Sequence, residues 1–109
     1  MSYDVIATPR FRRDIKRLIK KYPSIKNEYA DLIASLGDIP EQGSPLGNHC
    51  FKIRFAISSK GKGKSGGARV ITHIYVEGSK VFLLTMYDKS EKENITDKEL
   101  QELIAQNIT

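Results

Sequence analysis

Residues 52–69 hold six lysines and arginines and no acid. Lys52 and Arg54 stand two apart in Phe51-Lys52-Ile53-Arg54-Phe55, a spacing that puts both cations on one face of a strand. Arg69 opens the next β-rich run, so the three can meet on one exposed sheet face if those strands are neighbours. Such a trio makes an anion site. A guanidinium grips phosphate through two parallel hydrogen bonds, and fixed positive charge stabilises the extra negative charge of a phosphoryl-transfer transition state. Lys60, Lys62 and Lys64 lie between them in SKGKGKSGG, a glycine-rich loop whose ammonium groups would act as point charges guiding a phosphate backbone. Gly63-Lys64-Ser65 looks like the end of a nucleotide-triphosphate loop, but that motif needs a glycine five residues before Gly63, where Ser58 stands. It also opens a helix, whereas this loop opens a strand.

Three further side chains are candidate nucleic-acid contacts. His73 falls on the same alternation as Arg69, set against its plainer reading as a satisfied strand residue. Tyr87, at the end of the last β-rich run, offers a ring on which a base can stack, a contact worth about 1–3 kcal/mol. Lys92 adds a cation nearby. The acids of this region, Asp88, Glu91 and Glu93, alternate with Lys89 and Lys92 and read as a solvated, partly ion-paired segment rather than as metal ligands. No metal and no cofactor is expected.

The elements that must position these groups follow from period and punctuation. Residues 3–7 suit a short strand, and Thr8-Pro9 supplies an N-cap and a first-turn proline. Phe11, Ile15, Leu18, Ile19 and Tyr22 then share one helical face until Pro23. Ser24 is the expected cap of a second helix, with Ile25, Tyr29, Leu32, Ile33 and Leu36 inward and Gly37 as its stop. Residues 38–48 hold two prolines and two glycines without a period and are expected to be loop. From Phe51 the period is two; residues 68–76 and 80–87 form an antiparallel hairpin around Glu77-Gly78-Ser79. Thr96-Asp97-Lys98-Glu99 is a capping box opening a short helix with Leu100, Leu103 and Ile104 on one face. The expected fold is α+β: an N-terminal helical hairpin on a mainly antiparallel sheet of about four strands, with a short C-terminal helix.

A chain of 109 residues fits one domain, taken as residues 1–109. The lone Cys50 excludes an internal disulfide and a cysteine zinc site, which suits a reducing compartment. No apolar run approaches the roughly 18 residues of a membrane span, and the N-terminus lacks a signal segment, so a cytoplasmic protein without membrane contact is expected. The net charge of +5 is unevenly spread. Eight basic residues fall in 10–26 and six in 52–69 with Asp14 as the only acid, while seven of thirteen acids follow position 76. A polyanion would meet two basic zones.

Together these features resemble the RelE/ParE superfamily of toxins from bacterial toxin–antitoxin pairs, and within it the RelE- and HigB-like messenger-RNA interferases. The likeness spans nearly the whole chain. It rests on the element order, on Thr8-Pro9-x-Phe11 opening a basic helix, and on Phe51-Lys52-Ile53-Arg54. Gly67-Ala68-Arg69-Val70-Ile71 and Tyr87-Asp88-Lys89-Ser90-Glu91-Lys92 complete it. The resemblance implies a RelE-like fold and a ribosome-dependent endoribonuclease that enters the A site and cuts mRNA without metal, the ribose 2′-hydroxyl attacking the adjacent phosphate. It implies Lys52 as general base, Arg54 as a second cation, Arg69 as transition-state stabiliser, and Lys89 where RelE has an arginine proposed as general acid. Lys89 departs from that pattern, since an ammonium donates a proton but lacks the guanidinium fork. Ile95 stands where RelE has a stacking tyrosine, leaving Tyr87 as the substitute. An ordinary lysine, with a pKa of about 10.4, is charged at neutral pH, so a lysine base needs help from neighbouring cations such as Arg54 and Arg69. The implied partners are a cognate antitoxin, commonly carrying a helix-turn-helix DNA-binding domain, and the ribosome with its mRNA. The toxin itself would be a monomer, assembling further through the antitoxin. Two other readings compete: a ParE-like inhibitor of DNA gyrase, which needs no phosphate-handling triad, and a non-catalytic RNA- or ribosome-binding module, for which the basic first helix suffices.

Overall fold

Thr8 turns the chain from its first strand into its first helix. Its hydroxyl accepts from the Phe11 amide at 3.2 Å and donates to the Leu83 carbonyl at 2.8 Å, tying the helix start to the middle of the sheet. The computed structural model describes residues 2–61 and 66–107. In chain order it contains β1 (Asp4–Ala7), α1 (Pro9–Lys21), α2 (Ile25–Asp38), β2 (Ser44–Gly47), β3 (Cys50–Phe55), a 3₁₀ turn (Ser58–Lys60), β4 (Ala68–Tyr75), β5 (Lys80–Asp88) and α3 (Asp97–Asn107). The strands form one sheet in the order β1-β5-β4-β3-β2, with β1 parallel to β5 and the other pairings antiparallel.

This is the expected α+β architecture with a fifth strand. The extra strand, β2, lies inside the segment expected to be loop, and pairs Ser44 with Lys52 and Pro45 with Phe51. Proline is tolerated there because β2 is an edge strand with no outer partner to bond. Asn48 and His49, with φ of 53° and 60°, make the tight left-handed turn from β2 to β3. Just before β2, Gly43 has φ +91°, and a Cβ on it would overlap the Lys52 carbonyl. The close approach of these two backbones requires glycine.

Both sheet faces are covered, unequally. Phe11, Ile15 and Leu18 of α1 with Ile25, Leu32 and Leu36 of α2 pack on Ile53, Phe55, Val70, Ile74, Val81, Leu83 and Met86. On the opposite face Leu100 and Leu103 of α3 cover Cys50, Ile71, Leu84 and Tyr87. The capping box starts α3 as expected: Thr96 Oγ1 accepts from the Glu99 amide and Glu99 Oε1 from the Thr96 amide, each at 3.1 Å. Two expected boundaries differ. Ser24 does not cap α2, because it already has helical dihedrals and its hydroxyl instead joins Glu28 and Ser59. Gly37 does not stop α2 either; the helix runs through it to Asp38. Among the described residues no helix is long and apolar enough to cross a membrane.

Candidate functional site

β3 and β4 pair so that Arg54 lies directly opposite Arg69 and Lys52 opposite Ile71. Residues directly opposite share a face, and Lys52 and Arg54 share one through the period of two. Tyr87 of β5 extends the row on the far side of Arg69. A cavity of about 240 Å³ collects Lys52, Arg54 and Arg69 together with Lys89, which leaves the end of β5. Glu93 and Asn94 also line it. All four residues expected to do chemistry therefore meet in one place.

Each is held differently. Lys52 Nζ donates to Asn94 Oδ1 at 3.2 Å. Arg69 is only 5% exposed, and its Nη1 donates to the Ala68 carbonyl at 3.0 Å. Arg54 is exposed. Lys89 is placed through its backbone amide, which donates to the Gly67 carbonyl at 3.1 Å, and through its neighbour Asp88. Asp88 is wholly buried and accepts from Lys60 Nζ at 2.5 Å, the Tyr22 hydroxyl at 3.0 Å, and the Ser90 amide and hydroxyl at 3.0 and 2.8 Å. Burial alone would push this carboxyl up. The Lys60 ammonium, Ser90 and Tyr22 outweigh burial and hold it far below the usual carboxylate range.

The residues expected only to bind RNA are not gathered in the same way. Lys60 lies with its side chain 9% exposed, its ammonium on Asp88 and 5.5 Å from the Tyr22 ring centre, so it is a structural cation here. Lys62 and Lys64 lie outside the described residues. His73 faces Cys50 across β3, its Nδ1 3.4 Å from the thiol and its ring 6.4 Å from that of His49, and it does not line the cavity. Burial and then His49 push its pKa down, while burial pushes the Cys50 thiol up to about 11. Tyr87 packs beneath α3 with a buried hydroxyl that has no partner among the described residues. Lys92 stands 5.7 Å from the Tyr87 ring centre and pairs with Glu99. Ser44 lines the cavity as well, and neither it nor Asn94 carries a signal in the sequence, because neither sits in a periodic stretch. Glu93 was visible there only as one charge in a mixed run. Among the described residues no group of three His, Cys, Asp or Glu side chains is placed to hold a metal ion.

Comparison with known proteins adds to this geometry. The family model described as the RelE toxin of the RelE/RelB toxin–antitoxin system matches residues 12–108. The chain is similar to one in the crystal structure of the toxin–antitoxin complex RelBE2 from Mycobacterium tuberculosis, at 24% identity over 81% of this chain and 99% of that one, with a TM-score of 0.62. It is also similar to an arginine-to-alanine double mutant of E. coli RelE in the free state, at 16% identity over 97% and 98% of the two chains and a TM-score of 0.62. At these identities the solved structures establish a common fold.

Proposed function

We propose, from the premise that this chain belongs to the RelE toxin family of toxin–antitoxin systems, that it is a metal-independent endoribonuclease which cuts mRNA in the ribosomal A site and so arrests translation. One observation carries the reading: Lys52, Arg54, Arg69 and Lys89, from two strands and the segment after a third, converge on a single cavity. A site for one phosphate needs that convergence; a solubilising surface does not. Arg54 and Arg69 grip the scissile phosphate and take up the charge that develops as the 2′-oxygen attacks it. Lys89 gives a proton to the departing 5′-oxygen, and the 2′-hydroxyl proton leaves on the Lys52 side. The same proposal includes a cytoplasmic toxin, monomeric and formed of one domain, shielded by an antitoxin that bears a helix-turn-helix domain.

Burial of Arg69 decides the form of the test, since truncation to alanine would also leave a hole under the sheet face. Arg69→Lys keeps the charge and most of the volume but loses the fork. With stability matched by urea unfolding, single-turnover cleavage of mRNA on programmed ribosomes should fall by about 100-fold or more in this variant, the scale of losing one oriented charge-stabilising donor. Arg54→Ala should act in the same direction. Uncut mRNA under saturating wild-type protein would establish a non-catalytic ribosome binder, and lost DNA supercoiling with intact transcripts a gyrase inhibitor.

A further inference from the structure

Glu93 is a carboxylate lining a cavity otherwise dominated by cations. Three acids of the same stretch are in ion pairs: Asp88 with Lys60, Glu91 with Arg17, Glu99 with Lys92. Glu93 is in none among the described residues, although Lys52, Arg54, Arg69 and Lys89 line the same space. Its place is fixed from both sides. Ahead of it, the Glu91 and Lys92 amides donate to the Asp88 carbonyl at 3.0 and 3.1 Å, winding one helical turn onto the buried Asp88. Directly after it, Asn94 accepts from Lys52 Nζ at 3.2 Å. Glu93, itself exposed, thus lines the cavity next in sequence to the Asn94 that holds the lysine which the family resemblance makes the base.

We infer that Glu93, not Lys52, accepts the 2′-hydroxyl proton, an inference that rests on the endoribonuclease reading of this cavity. A general base has to be deprotonated before it acts; a carboxylate meets that condition at neutral pH and an ordinary ammonium does not. With Glu93 as acceptor, Lys52 keeps its charge and joins Arg54 and Arg69 in stabilising the phosphate. The 2′-hydroxyl proton passes to the Glu93 carboxylate, the 2′-oxygen bonds to phosphorus, the bond from phosphorus to the 5′-oxygen breaks, and the Lys89 ammonium protonates that oxygen. The products are a 2′,3′-cyclic phosphate and a 5′-hydroxyl end. Exchange with water returns Glu93 to carboxylate and Lys89 to ammonium.

A solvated acid with no part in the chemistry would have the opposite signature, because an acid in a cationic cavity only repels RNA. Glu93→Gln separates the two in single-turnover cleavage on programmed ribosomes across pH and protein concentration. The expected result is a maximal rate lower by about 100-fold, an unchanged or smaller half-saturating concentration, and loss of the acidic limb of the pH–rate profile. Glu93→Asp should recover part of the rate. A Glu93→Gln protein that cuts at the wild-type rate with tighter binding overturns the inference. If wild-type protein cuts nothing, or Arg69→Lys cuts at full rate, the endoribonuclease reading fails and takes this inference with it. Loss in Arg69→Lys alone leaves that reading standing and removes only the role of Glu93.

Discussion

Asp88 joins three parts of the chain through one buried carboxylate: Tyr22 at the end of α1, Lys60 after β3, and Ser90 in the turn that carries Lys89 toward the cavity. Lys60 is nearly as buried, so removing either partner strands a charge. Asp88→Asn should therefore cost about 3–5 kcal/mol, the usual penalty for breaking a buried pair. The double variant Asp88→Asn with Lys60→Met should recover most of the loss, since it leaves no buried unpaired charge; Lys21, 3.8 Å from Asp88, is half exposed. Urea unfolding of the four proteins checks this; a double variant no more stable than Asp88→Asn would show that the pair is not coupled. The depressed carboxyl also sets a pH dependence. A group whose folded pKa lies below its unfolded value, about 3.9 for aspartate, contributes stability that is complete above that value and is lost as pH falls toward the folded pKa. Between pH 5 and 2 the wild-type urea midpoint should fall more steeply than that of Asp88→Asn. Lys60 was legible in the sequence as a cation, but not as a structural one, because its counter-ion lies 28 positions away.

Elements whose signals are local were legible, and those fixed by tertiary contact were not. Thr8-Pro9 and Thr96-x-x-Glu99 marked the starts of α1 and α3, because a cap is satisfied within its own first turn. Ser24 carries the same residue type as a cap, yet its hydroxyl is drawn off to Glu28 and Ser59, and Glu28 in turn accepts from the Ser58 amide at 2.8 Å. β2 had no period to read; it is a strand because Gly43 lets the chain run against the Lys52 carbonyl. That contact makes a prediction about function as well as fold. Gly43→Ala combines a positive φ with an overlap on backbone, and should cost about 1–3 kcal/mol while displacing β2 from Lys52. At 20 °C, where the variant stays folded by circular dichroism, its ribosome-dependent cleavage should fall by more than its folded fraction. Cleavage in proportion to folded protein would mean that β2 does not help to seat Lys52. The capping hydroxyl of Thr8 offers a control away from the cavity. Thr8→Ala should lose about 1–2 kcal/mol in urea unfolding with cleavage per folded molecule unchanged.

Across the whole molecule, the net charge of +5 overstates the similarity of the individual cations. Arg10, Arg17, Lys60 and Lys92 are each matched to an acid. Among the described residues Lys52, Arg54 and Lys89 have no ion pair, and all three line the cavity. Arg12, Arg13, Lys16 and Lys20 form the second basic zone, exposed on α1. Among the described residues of the first zone, Lys60 is turned to Asp88 rather than to solvent. Salt dependence separates a cation that meets phosphate from one that neutralises a buried acid. Each phosphate contact with single-stranded RNA releases counter-ions and contributes about −0.7 to the slope of log K against log salt. For a short unstructured RNA titrated between 50 and 300 mM salt, Arg54→Ala and Lys89→Ala should each flatten the slope by about 0.7. The charge-neutral pair of changes Asp88→Asn and Lys60→Met should leave it as in the wild type, because Asp88 already holds the Lys60 ammonium. Flattening in that double variant as large as in Arg54→Ala would place Lys60 on the phosphate backbone after all, with Asp88 released from it when RNA binds.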